Sequence, residues 1–105
     1  MLELNRFFKG ATKTESVNFA YGGATSGQTN VSDERVPGVL KQIDSYLQDL
    51  ALTGGQANAQ ALYAIWGGIN DFDPIAKGTP VNPITSVNNA ETAISSLYKA
   101  GGETF

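Results

Sequence analysis

Ala61-Leu62-Tyr63-Ala64-Ile65-Trp66-Gly67-Gly68-Ile69-Asn70-Asp71 is an apolar run that stops on two glycines and an Asn-Asp pair. A strand apolar on both faces belongs in the buried centre of a parallel sheet. In open α/β sheets, ligands bind where such strands end. About forty residues earlier, Val17-Asn18-Phe19-Ala20-Tyr21-Gly22-Gly23-Ala24 has the same build: a short branched and aromatic run closed by glycines. A glycine there offers an unshielded backbone N–H, and Asn70 offers a side-chain NH₂. Together they have the chemistry to hold a developing negative oxygen.

Helical periodicity fills the space between. Val36, Val39, Leu40, Ile43, Tyr46, Leu47 and Leu50 recur at spacings of three and four, predicting a helix from about Pro37 to Leu50. Pro37 suits its first turn, where the missing N–H removes no bond. Gly54-Gly55 ends it. A second helix is expected from about Ser86 to Ala100, with Val87, Ala90, Ile94, Leu97 and Tyr98 on its buried face and Gly101 as C-terminal cap. Residues 22–35 and 67–85 read as loops, the latter punctuated by Pro74, Pro80 and Pro83. Residues 1–16 are polar and irregular around a Phe7-Phe8 cluster. Strand, helix, strand, helix predicts an α/β fold with parallel strands and a right-handed crossover.

The 105 residues, 41% hydrophobic and 16% charged, make one small globular domain rather than a disordered chain. Seven basic residues are scattered through a chain of net charge −3, which is no nucleic-acid footprint. No stretch reaches the length of a membrane span, and residues 1–8 are no secretory signal. There is no cysteine and no histidine. Disulfides, thiolate metal sites and a complete Ser-His or Cys-His machine are therefore excluded, and zinc is disfavoured. Carboxylate-only calcium or magnesium binding stays open on composition; no metal and no cofactor is assigned.

Each motif has a plainer reading. Gly22-Gly23-Ala24-Thr25-Ser26-Gly27 breaks the dinucleotide spacing at Ala24, and no Gly-Lys-Ser/Thr follows, so it reads as a turn of small residues. Thr25 and Ser26 lack a base to activate them and read as loop-formers. Asp71 and Asp73 read as hydrogen-bonding turn residues. Trp66 and Tyr63 read as core. Tyr21 is the best candidate of the aromatics for the wall of a binding site.

Taken together, the two motifs are more specific. Asn18-Phe19-Ala20-Tyr21-Gly22-Gly23-Ala24-Thr25 resembles the second conserved block of the SGNH, or GDSL-type, lipase/esterase family. Gly67-Gly68-Ile69-Asn70-Asp71 resembles its third block, Gly-x-Asn-Asp, and Val36–Ile43 looks like the helix between them. The resemblance covers roughly residues 15–100. It implies part of a three-layer α/β/α, flavodoxin-like sandwich with a parallel sheet, lacking its first strand and C-terminal part. It also implies hydrolysis of carboxylic esters through an acyl-enzyme. By position, Gly23 (with Gly22 its nearest rival) and Asn70 would complete the oxyanion hole, and Tyr21 and Gly22 would bind substrate. The family's Gly-Asp-Ser and Asp-x-x-His blocks have no counterpart here. The chain is therefore expected to be an internal, truncated piece of such a hydrolase, inactive alone, whose partner is a small-molecule ester in the parent protein. With the strand between 17–21 and 61–66 missing, open edges would favour self-association. Two rivals stand beside this reading: a non-catalytic acyl- or carbohydrate-binding or interaction module, and a structural α/β domain.

Overall fold

The stripe around Ile43 forms a helix because its apolar residues share one face. The computed structural model describes residues 17–52, 54–73 and 82–105, and in it α1 spans Val39–Ala51. The Phe7-Phe8 cluster, Pro74 and Pro80 lie outside those residues. Val39, Ile43, Tyr46 and Leu50 are buried, Leu50 being only 1% exposed, and Leu40 and Leu47 pack beside them. Pro37 falls before the helix, and Gly38 is the N-cap. Gly54 and Gly55 follow with positive φ, and the N–H of Gly55 donates to the Leu50 carbonyl at 2.7 Å.

The second helix, α2, runs from Pro83 to Ala100, three residues longer at its start than the apolar pattern indicates. Asn82 explains the earlier start: its side chain accepts the Ile84 N–H at 3.0 Å, and Pro83 occupies the first turn. Gly101 closes it in the left-handed region (φ 116°), with Gly102 N–H bonded to Leu97 O and Gly101 N–H to Tyr98 O, a Schellman ending. Its buried face is narrower than expected. Ala93 and Leu97 are inside, while Val87, Ile94 and Tyr98 are exposed. Ala93 and Leu97 join the core cluster with the α1 residues, and Ala100 packs against it.

The expected parallel sheet, and with it the flavodoxin-like α/β/α sandwich, is absent among the described residues. The helices α1 and α2 are the main elements, with a 3-10 turn at Ile69–Phe72. Residues 17–21 and 61–66 form no continuous strand; each holds a single bridge residue, Asn18 and Leu62. Between described residues there are isolated bridges, an antiparallel one between Ala24 and Asn30 and a parallel one between Leu62 and Thr104. A strand is defined by the neighbour with which it exchanges hydrogen bonds. In 61–66, Tyr63 N–H donates to Thr104 O at 2.9 Å, and the N–H groups of Ala64, Ile65 and Trp66 find no partner among the described residues. Burial on both faces is corrected too. Tyr63 and Ile65 turn towards the core, while Leu62 and Trp66 are 73% and 94% exposed. The period of two is that of a chain covered on one side only.

Aromatic contacts tie this segment to α1. Phe19 meets Tyr46 edge-on at 5.6 Å, Tyr46 meets Tyr63 at 5.9 Å, and Tyr63 meets Phe105 at 5.8 Å. Tyr63 donates its hydroxyl to Asn58 O at 2.8 Å, so the 3.1 Å bond between the two tyrosine hydroxyls is donated by Tyr46. Burial, then the Tyr63 hydroxyl, pushes the Tyr46 pKa up. The core thus lies between α1, the C-terminal half of α2 and the inner side of 63–65.

Candidate functional site

The glycine-rich loop sits on the N-terminus of α1. Gly38 carries no capping side chain, so the helix's unsatisfied N–H groups need other acceptors. Loop carbonyls supply them: Gly38 N–H bonds Gln28 O at 3.0 Å, Val39 N–H bonds Thr25 O at 2.9 Å, and Leu40 N–H bonds Gly27 O at 3.0 Å. Gly38 has to be glycine here, since a Cβ would collide with Gly27 O and lie 2.5 Å from Thr29 O. Within the loop, Thr25 N–H donates to Thr29 O at 3.0 Å and Val31 N–H to Gly23 O at 2.9 Å, which closes a tight turn.

The structure brings the two sequence motifs together. Asn70, in the 3-10 turn, donates its side-chain Nδ2 to Ala24 O at 2.9 Å, next to Gly23. Beside it, Asp71 Oδ1 accepts Ser26 N–H at 2.7 Å, and Asp71 Oδ2 accepts the Ser26 hydroxyl at 2.6 Å. From α2, the Ser86 hydroxyl also donates to Asp71 Oδ2, and Asn89 Nδ2 donates to Ser26 Oγ at 2.8 Å. Four polar side chains from three segments close on one another, and Asp71 is only 6% exposed. Burial pushes the Asp71 pKa up, but the Ser26 and Ser86 hydroxyls and the Ser26 N–H outweigh it and hold the carboxyl below its ordinary value. Such a carboxylate is a weak base, so Ser26 stays a structural hydroxyl.

Gly23 is half-buried with φ 79°, and a Cβ would lie 2.6 Å from Asn30 Oδ1 and 2.9 Å from Ser32 Oγ. Its N–H has no hydrogen-bond partner among the described residues. Asn70 keeps one N–H beyond the one that Ala24 uses. Gly22 is exposed, has open space where a side chain would be, and accepts Asn30 Nδ2 on its carbonyl at 2.8 Å. Tyr21 is half-buried on the same loop. Ser86 and Asn89 escape a reading by sequence. They are polar residues three apart near the start of a helix, and only the fold turns them onto Ser26 and Asp71.

Beside the clamp lies an open groove of about 310 Å³, lined by the aliphatic Val39, Ile65, Val87, Ala90 and Ile94. Ser26, Ser86 and Asn89 form its polar part, and none of its lining residues is charged. Among the described residues no cluster of carboxylates could hold a metal ion, and no helix is long and apolar enough to cross a membrane. Set against known protein families, curated proteins and solved structures, the chain matches none.

Proposed function

We propose that these loops are the oxyanion-binding part of a carboxylic ester hydrolase of the SGNH/GDSL type. The observation that carries the reading is the bond from Asn70 Nδ2 to Ala24 O, which ties a side-chain amide across 46 residues of chain to the residue after Gly23, whose own N–H has no hydrogen-bond partner among the described residues. As an ester carbonyl is attacked, its oxygen gains negative charge. Two preorganised donors at that point lower the barrier. In this reading Gly23 and Asn70 are those donors, Gly22 leaves the approach open, and Tyr21 lines it. The attacking serine and its histidine base come from residues outside this sequence, because the chain contains no histidine. Oxyanion donors alone leave only a small residual acceleration, so the 105-residue chain is expected to show no useful turnover of nitrophenyl esters.

The test is a titration of ¹⁵N-labelled protein with methylphosphonate, a tetrahedral anion that mimics the charged intermediate. The largest shifts are expected at the Gly23 amide and the Asn70 side-chain NH₂, and Asn70→Ala should abolish binding. Shifts centred elsewhere, or unchanged binding in Asn70→Ala, would overturn the reading. The uncharged aliphatic groove favours a second reading, a non-catalytic acyl- or carbohydrate-binding module using the same loops. If DNA sequencing on either side of this frame finds neither a Gly-Asp-Ser nor an Asp-x-x-His block, that second reading is favoured. The outward face of Leu62 and Trp66 adds a partner: we propose that the chain self-associates through this exposed segment.

A further inference from the structure

Asp71 serves no step of the chemistry above, yet it is a buried carboxylate beside the site that accepts three hydrogen bonds. We propose that Asp71 is a positioning residue: by clamping Ser26 to Ser86, it fixes the Gly22–Gly27 loop so that the Gly23 N–H and the Asn70 amide face the same point. The inference rests on the oxyanion reading.

Three features support it. Asp71 and Asn70 are neighbours in one 3-10 turn, so one backbone unit supplies both the donor and the clamp. The clamp acts at two points of the same residue, backbone and hydroxyl of Ser26, which fixes both the path of the loop and the rotamer of its side chain. Asn89 then bonds the oxygen of that hydroxyl, so Ser26 Oγ has a donor and an acceptor partner and no freedom to turn away. Without the clamp, Asn70 would still reach Ala24, but the loop would be anchored by that bond, by the single Asn89 bond to Ser26 Oγ and by its carbonyls on α1. A donor displaced by about 1 Å from an oxyanion loses most of its effect.

The experiment is the same methylphosphonate titration, run on the whole chain with Asp71→Asn, Ser86→Ala and Asn70→Ala. Asp71→Asn keeps the size of the side chain but puts an NH₂ or a neutral oxygen where two hydroxyls donate. Binding is expected to weaken at least about tenfold, while the amide signals of Leu50 and Ala93 in the core stay in place. A purely structural role would move those core signals and leave binding per folded molecule unchanged. Ser86→Ala, remote from both donors, should weaken binding by a smaller factor. It carries the test if Asp71→Asn fails to fold. Binding equal to that of the unaltered chain in Asp71→Asn, or in Ser86→Ala where Asp71→Asn is unfolded, overturns the inference. If Asn70→Ala has meanwhile lost binding, the oxyanion reading survives that failure. If Asn70→Ala binds normally, or the unaltered chain does not bind at all, the oxyanion reading fails and takes the inference with it.

Discussion

At Gly23 two independent constraints meet: a φ of 79°, which side-chain-bearing residues rarely adopt, and contacts with Asn30 and Ser32 that leave no room for a Cβ. Asn30 is itself committed, donating to Gly22 O and accepting the Ser32 N–H at 2.8 Å, so it cannot swing aside without breaking the turn. Asp71 is the titrating counterpart of this rigid glycine. Its folded pKa lies below the unfolded value of about 3.9. A depressed carboxyl contributes stability that is present above the unfolded pKa and is lost as pH falls through the folded one. Urea unfolding between pH 2 and pH 7 should therefore show the unaltered chain losing stability below about pH 4. Asp71→Asn should be less stable at neutral pH by about 1–3 kcal/mol, with a flatter acid limb. The half-buried Asp33, lowered by its pairing with Arg35, titrates in the same window in both proteins, so the difference isolates Asp71. Acid limbs of equal slope would contradict the role assigned to this carboxylate. Gly23 and Asn70 stood out as candidates in the sequence because their motifs are contiguous, and Asp71 has the hydrogen-bonding role expected of it. Ser86 and Asn89 were not, since their meaning depends on where α2 lands.

Among the elements, α1 was legible almost to the residue, because a helix satisfies its own backbone and needs only one apolar stripe to declare itself. The strands were not legible, for the opposite reason. Branched and aromatic residues at 17–21 and 61–66 state a preference for extended chain, but a ladder requires a neighbour that local composition does not reveal. The start of α1 shows how an element and the site are coupled. No side chain caps it; the carbonyls of Thr25, Gly27 and Gln28 do, so the helix and the glycine-rich loop stabilise one another. Gly38→Ala forces a Cβ into Gly27 and Thr29 backbone, which cannot rotate out of the way. The expected cost is about 1–3 kcal/mol, with faster amide exchange at Gly38, Val39 and Leu40. The Asn70 side-chain resonance should shift as well, because the loop it bonds has moved. Unchanged exchange at those three amides would show that the loop does not cap the helix.

The molecule as a whole leaves much apolar surface in water. Trp66, the single tryptophan, is 94% exposed, with Leu62 at 73% and Ile69 at 77% in the same uncharged stretch. Exposed apolar groups that are contiguous in this way mark interaction surfaces more often than scattered ones do. The N–H groups of Ala64, Ile65 and Trp66, which have no partner among the described residues, add an open backbone edge to that surface. Self-association through Ala61–Trp66 would cover both at once. Trp66 reports on it directly: its emission should be that of a water-exposed indole at high dilution and should shift to the blue as concentration rises, in step with the mass measured by sedimentation. Trp66→Lys removes about 2 kcal/mol of apolar burial and should weaken association roughly thirtyfold. It should not alter folding, since the side chain lies outside the core cluster. A sharp, concentration-independent melt of a monomer, with Trp66 emission constant throughout, would exclude association by this face. The apolar segment would then be exposed without a partner, and methylphosphonate binding at Gly23 and Asn70 could be read on the monomer alone.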